Sequence, residues 1–328
     1  MEQLLIDLAA VLAAASPLVI AAMGETLSER AGVINLSLDG TMLLSAMTGF
    51  AVALITGNLI LGFIAAALVG ALVAAVLGLF SLTLGQSQTA VGFVLALLCT
   101  DLSSFLGAPF ARVPGPSVPF TPIPVLSDLP VFGPLFFRHD PVIYASLLIV
   151  PFTAFLLYGT RLGLIVRALG ERPAAVYARG VDVTRWRYAM LIAGGALVGI
   201  AGAAFSLDLK QGWSYRHTFG SGWIVLAIVI FGGWRPWRVA LGCYLFAALE
   251  LVATRSQSAL PDIPTQIVQV APFVLMILVL ALVNLAASPA AARQVMRLPA
   301  FWQRPLLAAI NRLRATAPAA LGQPFERP

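Results

Sequence analysis

The chain has 328 residues, of which 60% are hydrophobic and only 10% are charged, and its mean hydropathy is +0.93. Because soluble domains average about 25% charged residues, this composition excludes an ordinary globular enzyme, a disordered protein and a secreted disulfide module. A helix needs about 20 apolar residues to span a bilayer, and such stretches recur from residue 4 to residue 287. The composition predicts an all-α, polytopic bundle of about 9–10 membrane-spanning helices.

Nine apolar runs follow one another along the chain. They cover residues 4–23, 31–57, 59–80, 90–108, 142–158, 188–207, 219–233, 239–253 and 267–287. We therefore expect residues 1–287 to form one transmembrane domain, followed by a basic tail at 288–328.

The distribution of arginine predicts the orientation of these spans, because arginine-rich loops stay in the cytoplasm. Residues 160–187 carry six arginines against two acidic residues, and residues 288–328 carry six arginines against one glutamate. Four apolar runs separate the two segments, so both can lie on the cytoplasmic side, with the N-terminus outside and the C-terminus inside. The basic excess is thus a signal of topology and of contact with membrane lipid, and no nucleic acid is expected as a partner.

The segment 109–140 falls on the external side in this orientation. It contains eight prolines between Pro109 and Pro134, and proline lacks the amide donor that a helix interior requires. The sequence therefore predicts that the segment contains no long helix. It is either a rigid external cap or a docking surface for an external partner.

Two places interrupt the helical pattern. Asn35, Ser37 and Asp39 put an amide, a hydroxyl and a carboxylate into the second run, and the short seventh run opens with a glycine-rich stretch around Ser221 and Trp223. Irregular segments at corresponding positions of two oppositely oriented halves are typical of an inverted repeat around a central pathway. These five residues are the candidates for the substrate pathway, with a discontinuous second span, although the glycines could instead mark interfacial turns.

The inventory of reactive side chains argues against catalysis in this chain. Both histidines, His139 and His217, fall in predicted external loops, and no metal-ligand spacing is present, so no metal site is expected. The only lysine, Lys210, does not stand in a phosphate-binding Gly-rich motif. If ATP drives this protein, another subunit must bind it.

Ionisable side chains within the apolar runs usually face a bundle interior or water. Three were identified, namely Asp39, Asp101 and Glu250. Asp39 either lines the route or caps the backbone donors of residues 38–42, whereas Asp101 and Glu250 lie near the external ends of their helices.

The cytoplasmic segment 160–187 predicts a short amphipathic helix. Pro173 suits its first turn, Glu171 suits its positive end, and Gly180 fits its end. Such a helix either lies on the lipid surface or acts as a lever that docks in a cytoplasmic motor.

Three motifs resemble those of ABC-importer permeases for nucleosides, which belong to a wider family that also moves simple sugars and branched-chain amino acids. SERAGVINLSLDG (28–40) resembles the family signature SERAGVVNIGLEG, and RALGERPAAVYARGV (167–181) resembles its coupling element. GWIVLA and FGGWRP in residues 222–236 resemble its late span. The departures are Leu36-Ser37-Leu38-Asp39 for the usual isoleucine-glycine-leucine-glutamate, and Arg172 for asparagine.

The resemblance implies a permease subunit of an ATP-driven importer in the bacterial inner membrane, for nucleosides or nucleobase-like molecules. Its implied partners are cytoplasmic ATPases that bind ATP and magnesium, a second related permease (in a heterodimer or homodimer) and an external substrate-binding protein, while this chain itself holds no cofactor. The alternatives are a permease for a simple sugar or other small metabolite, and an ion-coupled secondary transporter. The coupling residues that the resemblance implies are Arg167, Gly170, Glu171, Pro173, Ala174, Ala175, Tyr177 and Gly180.

Overall fold

A computed structural model describes residues 2–128, 132–218, 220–259, 265–286 and 316–325, with isolated positions between 288 and 307. Within these residues the chain forms helices and turns and contains no β-strand. The predicted all-α class is confirmed.

In the described parts of the chain, nine helices coincide with the nine predicted apolar runs. They are α1 (Glu2–Arg30), α2 (Leu38–Thr56), α3 (Leu59–Gly78), α4 (Gln88–Gly107), α5 (Pro141–Gly159), α8 (Val183–Ala204), α9 (Ser221–Phe231), α10 (Pro236–Ala259) and α11 (Thr265–Ala286). Two shorter helices, α6 (Arg161–Glu171) and α7 (Pro173–Ala178), form the predicted coupling segment.

Length and composition separate α9 from the other membrane helices. Among the described residues, seven helices are long and apolar enough to cross a membrane: α1 to α5, α8 and α10. By contrast α9 has 11 residues, which at about 1.5 Å per residue cover roughly half of a hydrocarbon core about 30 Å thick. The seventh run is therefore a half-span, and its first residue lies within the depth of the bundle.

The connection between α1 and α2 differs from the predicted boundaries. α1 is 29 residues long and continues to Arg30, seven residues beyond the predicted end of the first run. After Arg30 the chain reverses: the amide of Val33 donates to the carbonyl of Ser28 at 3.1 Å, and the amide of Asn35 donates to Glu25 Oε1 at 3.3 Å. Residues 31–37 thus lie antiparallel to the last turns of α1, and the second run becomes helical only at Leu38.

Small residues allow the central helices to approach closely. A Cβ atom added to Gly24 in α1 would lie 2.5 Å from the carbonyl oxygen of Gly194 in α8, and one added to Gly194 would lie 2.6 Å from that of Gly24. A Cβ atom added to Gly70 in α3 would likewise lie 2.1 Å from the carbonyl oxygen of Gly195 in α8. Backbone packing at this distance is possible only without side chains, so α8 is fixed between α1 and α3.

The proline-rich segment packs on one end of the bundle. Outside residues 129–131, which the structure does not describe, it contains only short helical turns, at Ala108–Phe110, Leu126–Asp128 and Gly133–Phe137, as its prolines predicted. The amide of Val118 donates to the carbonyl of Leu207 at 2.9 Å, and that of Arg112 donates to the carbonyl of Trp213 at 3.0 Å. These bonds attach the segment to the end of α8 and the loop after it, which favours the cap over a free docking loop.

Candidate functional site

The two irregular segments meet through Asp39 and the first turn of α9. Asp39 Oδ1 accepts a hydrogen bond from the amide of Gly222 at 3.0 Å. The residue that precedes α9, Gly220, has φ +78° and brings no side-chain cap, so α2 supplies the acceptor for the N-terminus of α9. Asp39 thus accepts its hydrogen bond from a distant helix rather than from the backbone of residues 38–42.

The position of Gly222 explains why the contact tolerates no side chain. A Cβ atom there would lie 2.3 Å from the Cα atom of Asp39, well inside van der Waals contact. The backbone of α9 therefore packs directly on the start of α2, and the two predicted breaks form one junction between the two halves of the chain.

Asn35 and Ser37 lie beneath this junction and are buried. Asn35 Oδ1 accepts from the amide of Ser37 at 3.2 Å and from its Oγ at 2.6 Å, and Ser37 Oγ lies 3.1 Å from Thr41 Oγ1. The three side chains form a local network that shapes the turn into α2. In this conformation Asn35 and Ser37 support the junction from inside the protein.

Two buried carboxylates at the end of α1 were missed by the sequence interpretation. Glu25 and Glu29 are 0% and 1% exposed, and a spacing of four residues puts them on one face of the helix. Glu29 Oε2 accepts from Trp234 Nε1, while Glu25 Oε2 is buried without a hydrogen-bond partner. They escaped notice because the first run was ended at residue 23, which placed both in a loop.

A cavity of about 290 Å³ lies between α1, the end of α8, α9, α10 and α11. Its walls combine aromatic rings with polar side chains, which include both basic and acidic residues. The aromatic residues are Phe205, Phe246 and Phe273, and the polar ones include Lys210, Thr218, Ser221 and Glu250. We call this the aromatic cavity.

Of the predicted pathway residues, Ser221 lines the aromatic cavity and the others do not. Trp223 is 39% exposed and its ring lies 6.4 Å from that of Phe93 in α4, away from the cavity wall. Asp39 reaches the cavity region indirectly, through the turn of α9 that carries Ser221. Of the other two acids, Glu250 lines the cavity, whereas Asp101 is exposed on α4.

Lys210 lines the aromatic cavity, and His217 lies next to Lys210 outside that lining. Lys210 Nζ donates to the carbonyl oxygen of His217, and burial lowers the pKa of Lys210 while the charge of Glu250 opposes that shift. Burial, with the neighbouring Lys210 charge, lowers the pKa of His217 from 6.5 to about 4. At neutral pH the histidine is therefore uncharged, and the cavity offers donors and acceptors beside flat apolar faces.

The predicted coupling helix is present. Pro173 is the first residue of α7, and Gly180, with φ +79°, follows its end. Val176 is buried with Leu169 and Val183. The opposite face of α7 is exposed, including Ala174, Ala175 and Tyr177; Arg167 is partly buried and Gly170 is buried.

Part of the predicted basic tail lies against this coupling segment. We call residues 316–325 the C-terminal strap. The amide of Ala320 in the strap donates to the carbonyl of Gly170 at 2.7 Å. Gly322 N donates to the carbonyl of Gly32 at 3.1 Å in the α1–α2 turn, and Arg187 Nη1 donates to the carbonyl of Gln323 at 2.9 Å. The strap thus joins the coupling segment to the first break. The predicted tail arginines Arg297, Arg304, Arg312, Arg314 and Arg327 lie outside the described residues.

Comparison with known proteins identifies the family. Residues 8–280 match the model of the permease component of branched-chain amino acid transport systems. The chain belongs to this family. It is a multi-pass membrane permease subunit, and its relatives are transport components of ABC transporters rather than enzymes.

Three curated relatives are similar over most of this permease. It is 41% identical over 249 residues to a putative glucose ABC transporter permease protein, TsgC13, of Haloferax volcanii, covering 75% of this chain and 76% of that one. It is 32% identical over 289 residues to the guanosine ABC transporter permease protein NupQ of Bacillus subtilis, covering 83% and 89%. It is 30% identical over 280 residues to the nucleoside ABC transporter permease protein NupC of Lactococcus lactis, covering 81% and 88%.

Proposed function

We propose that this permease forms the membrane pathway of an ATP-driven importer for nucleosides or nucleobase-like compounds. The aromatic cavity is the observation that carries this proposal. Phe205, Phe246 and Phe273 present ring surfaces on which a planar base can stack. Thr218, Ser221 and Glu250 supply hydrogen-bonding groups of the kind that ribose hydroxyls and base edges need.

A simple sugar is the second candidate substrate. It is favoured by the 41% identity with the putative glucose permease and by the polar groups of the cavity. A sugar can pack one C–H face on a phenylalanine ring, but it has no planar π system to stack on several of them. The cavity therefore fits a base-containing solute better, and two of the relatives named above carry such substrates in their names.

The energy source in this proposal lies outside the chain. Two cytoplasmic ATPases would bind ATP and magnesium and contact the exposed face of α7. A second permease, identical or related, would complete the pathway, and an external binding protein would deliver the substrate.

The contacts of α7 suggest how force would reach the cavity. Movement of α7 would act on the C-terminal strap through the ring contact of Tyr177 with Phe325, whose centres lie 5.7 Å apart. It would also act through α6, where the carbonyl of Gly170 accepts from the amide of Ala320. The strap is bonded to the α1–α2 turn at Gly32, and that turn leads into Asp39, which holds α9. We infer that this chain of contacts opens and closes the aromatic cavity during alternating access.

The orientation in the proposal puts the N-terminus outside and the C-terminus in the cytoplasm of a bacterial inner membrane. It is supported by the clustering of predicted cytoplasmic charges. Arg30, Arg167, Arg235 and Arg238 come from separate parts of the chain and line one cavity beside the coupling segment. An excess of arginine on one face agrees with the positive-inside rule.

Reconstitution of the complete transporter tests the proposal. The permease would be co-expressed with its partner permease, ATPases and binding protein, and placed in liposomes that contain ATP. We expect ATP-dependent uptake of labelled guanosine or adenosine that excess nucleoside suppresses and excess glucose does not. Uptake of glucose alone would support the sugar alternative. Uptake by this chain without partners, driven by a pH gradient, would support a secondary transporter and contradict the proposal.

A further inference from the structure

A second cavity, of about 590 Å³, lies on the face that carries the coupling segment. Four arginines line it: Arg30 at the end of α1, Arg167 in α6, and Arg235 and Arg238 at the start of α10. We call it the arginine pocket. Neither the aromatic cavity nor the docking of an ATPase on α7 requires this concentration of positive charge.

The charges in the arginine pocket are not neutralised within the described residues. Glu171 is the only acidic side chain among those that line it, and none of the four guanidinium groups lies within 4.0 Å of a described carboxylate. Glu171 Oε2 instead accepts from the amide of Ala319 in the strap at 3.4 Å. The pocket therefore has a net positive charge of three, which an anion would balance.

Two of the four arginines, Arg30 and Arg167, are held in place by neutral groups. Arg30 Nε donates to the carbonyl of Trp234 at 3.0 Å, and its Nη2 donates to the carbonyl of Gly233 at 3.1 Å. The guanidinium carbon of Arg167 lies 5.1 Å from the ring centre of Tyr158. These contacts fix the positions of the cations without removing their charge, so the site is preorganised for an anionic ligand.

The chemistry of the cluster favours phosphate among possible anions. A guanidinium group presents paired N–H donors that match the oxygens of a phosphate, and several of them can share one phosphate group. The cavity is also large enough to hold a headgroup rather than a single small ion.

The rim of the arginine pocket indicates where that phosphate comes from. Tyr158 and Trp237 line it and are 47% and 59% exposed, and these two residue types are enriched at the level of lipid headgroups. Leu164, one helical turn before Arg167, is 61% exposed and adds an apolar surface on the same face of α6. Basic pockets between membrane helices bind anionic headgroups in this setting.

We propose that the arginine pocket binds the phosphate of an anionic phospholipid in the adjacent leaflet. The single negative charge of the bound phosphate is shared by Arg235 and Arg238, and the lipid headgroup occupies the space between α5, α6 and α10. This site is separate from the substrate pathway, and the proposal depends only on the membrane location of the family.

Lipid binding can be measured on the permease purified as expressed, in its complex. After exchange into a detergent, native mass spectrometry would follow titration with short-chain phosphatidylglycerol, short-chain phosphatidylcholine and inorganic phosphate in separate arms. We expect phosphatidylglycerol to bind at least about tenfold more tightly than phosphatidylcholine. Inorganic phosphate at millimolar concentration should not displace it.

Paired variants assign the binding to the pocket. Arg235→Gln with Arg238→Gln should weaken phosphatidylglycerol binding at least about tenfold, as expected for loss of a charge-assisted hydrogen bond. Arg179→Gln with Arg185→Gln removes the same charge from exposed positions, since the Arg185 side chain is 88% exposed, and should leave binding unchanged. Arg167→Lys keeps the charge but loses the paired donors, so it should give an intermediate affinity for phosphatidylglycerol. It replaces the double variant in this test if that variant does not assemble.

Each alternative result overturns the proposal in a defined way. Equal binding of the two lipids, or equal losses in the two double variants, would show that the pocket does not hold a lipid phosphate. Complete displacement by inorganic phosphate would assign the site to a free phosphate group. Failure of nucleoside uptake in the reconstituted transporter would leave these lipid measurements unaffected.

Discussion

Asp39 in α2 accepts a hydrogen bond at 3.0 Å from the amide of Gly222 in α9, 183 residues further along the chain. Both partners come from segments that interrupt the apolar pattern, and each interruption supplies what the other lacks. The carboxylate satisfies a free amide at the start of a half-span, and the amide neutralises part of a charge inside the bundle.

This junction predicts a graded response to substitution at Asp39. Asp39→Ala removes the cap and should destabilise the permease by about 1 kcal/mol and strongly reduce uptake, because α9 loses its anchor. Asp39→Asn keeps a hydrogen-bond acceptor but loses the charge, so it should destabilise the permease less than Asp39→Ala does. Thermal unfolding in detergent and nucleoside uptake would measure both effects. Asp101→Asn, at an exposed position, is the control, and an equal loss in that variant would contradict the role of the junction.

Loss of one aromatic face in the cavity should weaken substrate binding selectively. Phe246→Leu keeps an apolar side chain but removes the ring, and base stacking on an aromatic residue contributes roughly 1–3 kcal/mol. We therefore expect the KM for guanosine uptake to rise at least about fivefold, with little change in maximal rate. Phe93→Leu lies outside the cavity and should leave the KM unchanged. An unchanged KM in Phe246→Leu would argue against a stacked base.

The exposed face of α7 should carry the contact with the ATPase. The double change Glu171→Ala with Ala175→Trp removes a charge and adds bulk on this face, so it should abolish stimulation of ATPase activity while expression remains normal. ATPase rates of the purified complex, with and without binding protein and substrate, provide the measurement. Leu148→Trp adds comparable bulk at a position of α5 that is 68% exposed and should have no effect. Normal stimulation in the double variant would count strongly against the coupling role.

The C-terminal strap should link ATP hydrolysis to transport. Deletion of residues 316–328 should leave ATPase activity in the complex but reduce uptake per ATP hydrolysed several-fold, because α6 and α7 lose the strap that joins them to the α1–α2 turn. Deletion of residues 326–328 alone should have little effect. Ala320→Pro removes only the donor to Gly170 and tests the same bond if the longer deletion fails to assemble. Wild-type coupling in both Ala320→Pro and the long deletion would show that the strap has no such role.

His217 predicts a pH dependence of stability. Its pKa is about 4 in the folded protein against an ordinary value of 6.5, so between these values the unfolded chain binds the proton and the folded chain does not. The contribution of His217 to the free energy of unfolding is therefore constant above pH 6.5 and decreases as the pH drops from 6.5 to 4. His217→Gln should flatten the decrease in melting temperature over this window, whereas His139→Gln should retain it. Parallel curves for wild type and His217→Gln would contradict the shift.

The sequence located the membrane helices well because their signal is local. Most apolar runs are long enough to define a span on their own, the half-span α9 excepted. Pro173 and Gly180 act on their immediate neighbours to begin and end α7. The end of α1 was misplaced because Glu25 and Glu29 are polar residues inside a helix. These two carboxylates can lie inside the helix only because they are buried and bonded to other parts of the chain. Local hydropathy does not reveal those partners.

The candidate site was predicted only in part for the same reason. Ser221 and the irregular segments were identified from composition, but Phe205, Phe246 and Phe273 are ordinary apolar residues within their runs. Their convergence on one cavity depends on how α8, α10 and α11 pack, which no single segment encodes. The strap was missed because it lies beyond the motifs and follows a stretch of mixed alanine, proline and arginine.

The strap also affects the order in which the fold can form. Its partners Gly32 and Gly170 stand 290 and 150 residues before Gly322 and Ala320. Neither bond can therefore form until all the residues between them have been synthesised, so the α1–α2 turn and the end of α6 gain these two hydrogen bonds at a late stage of folding.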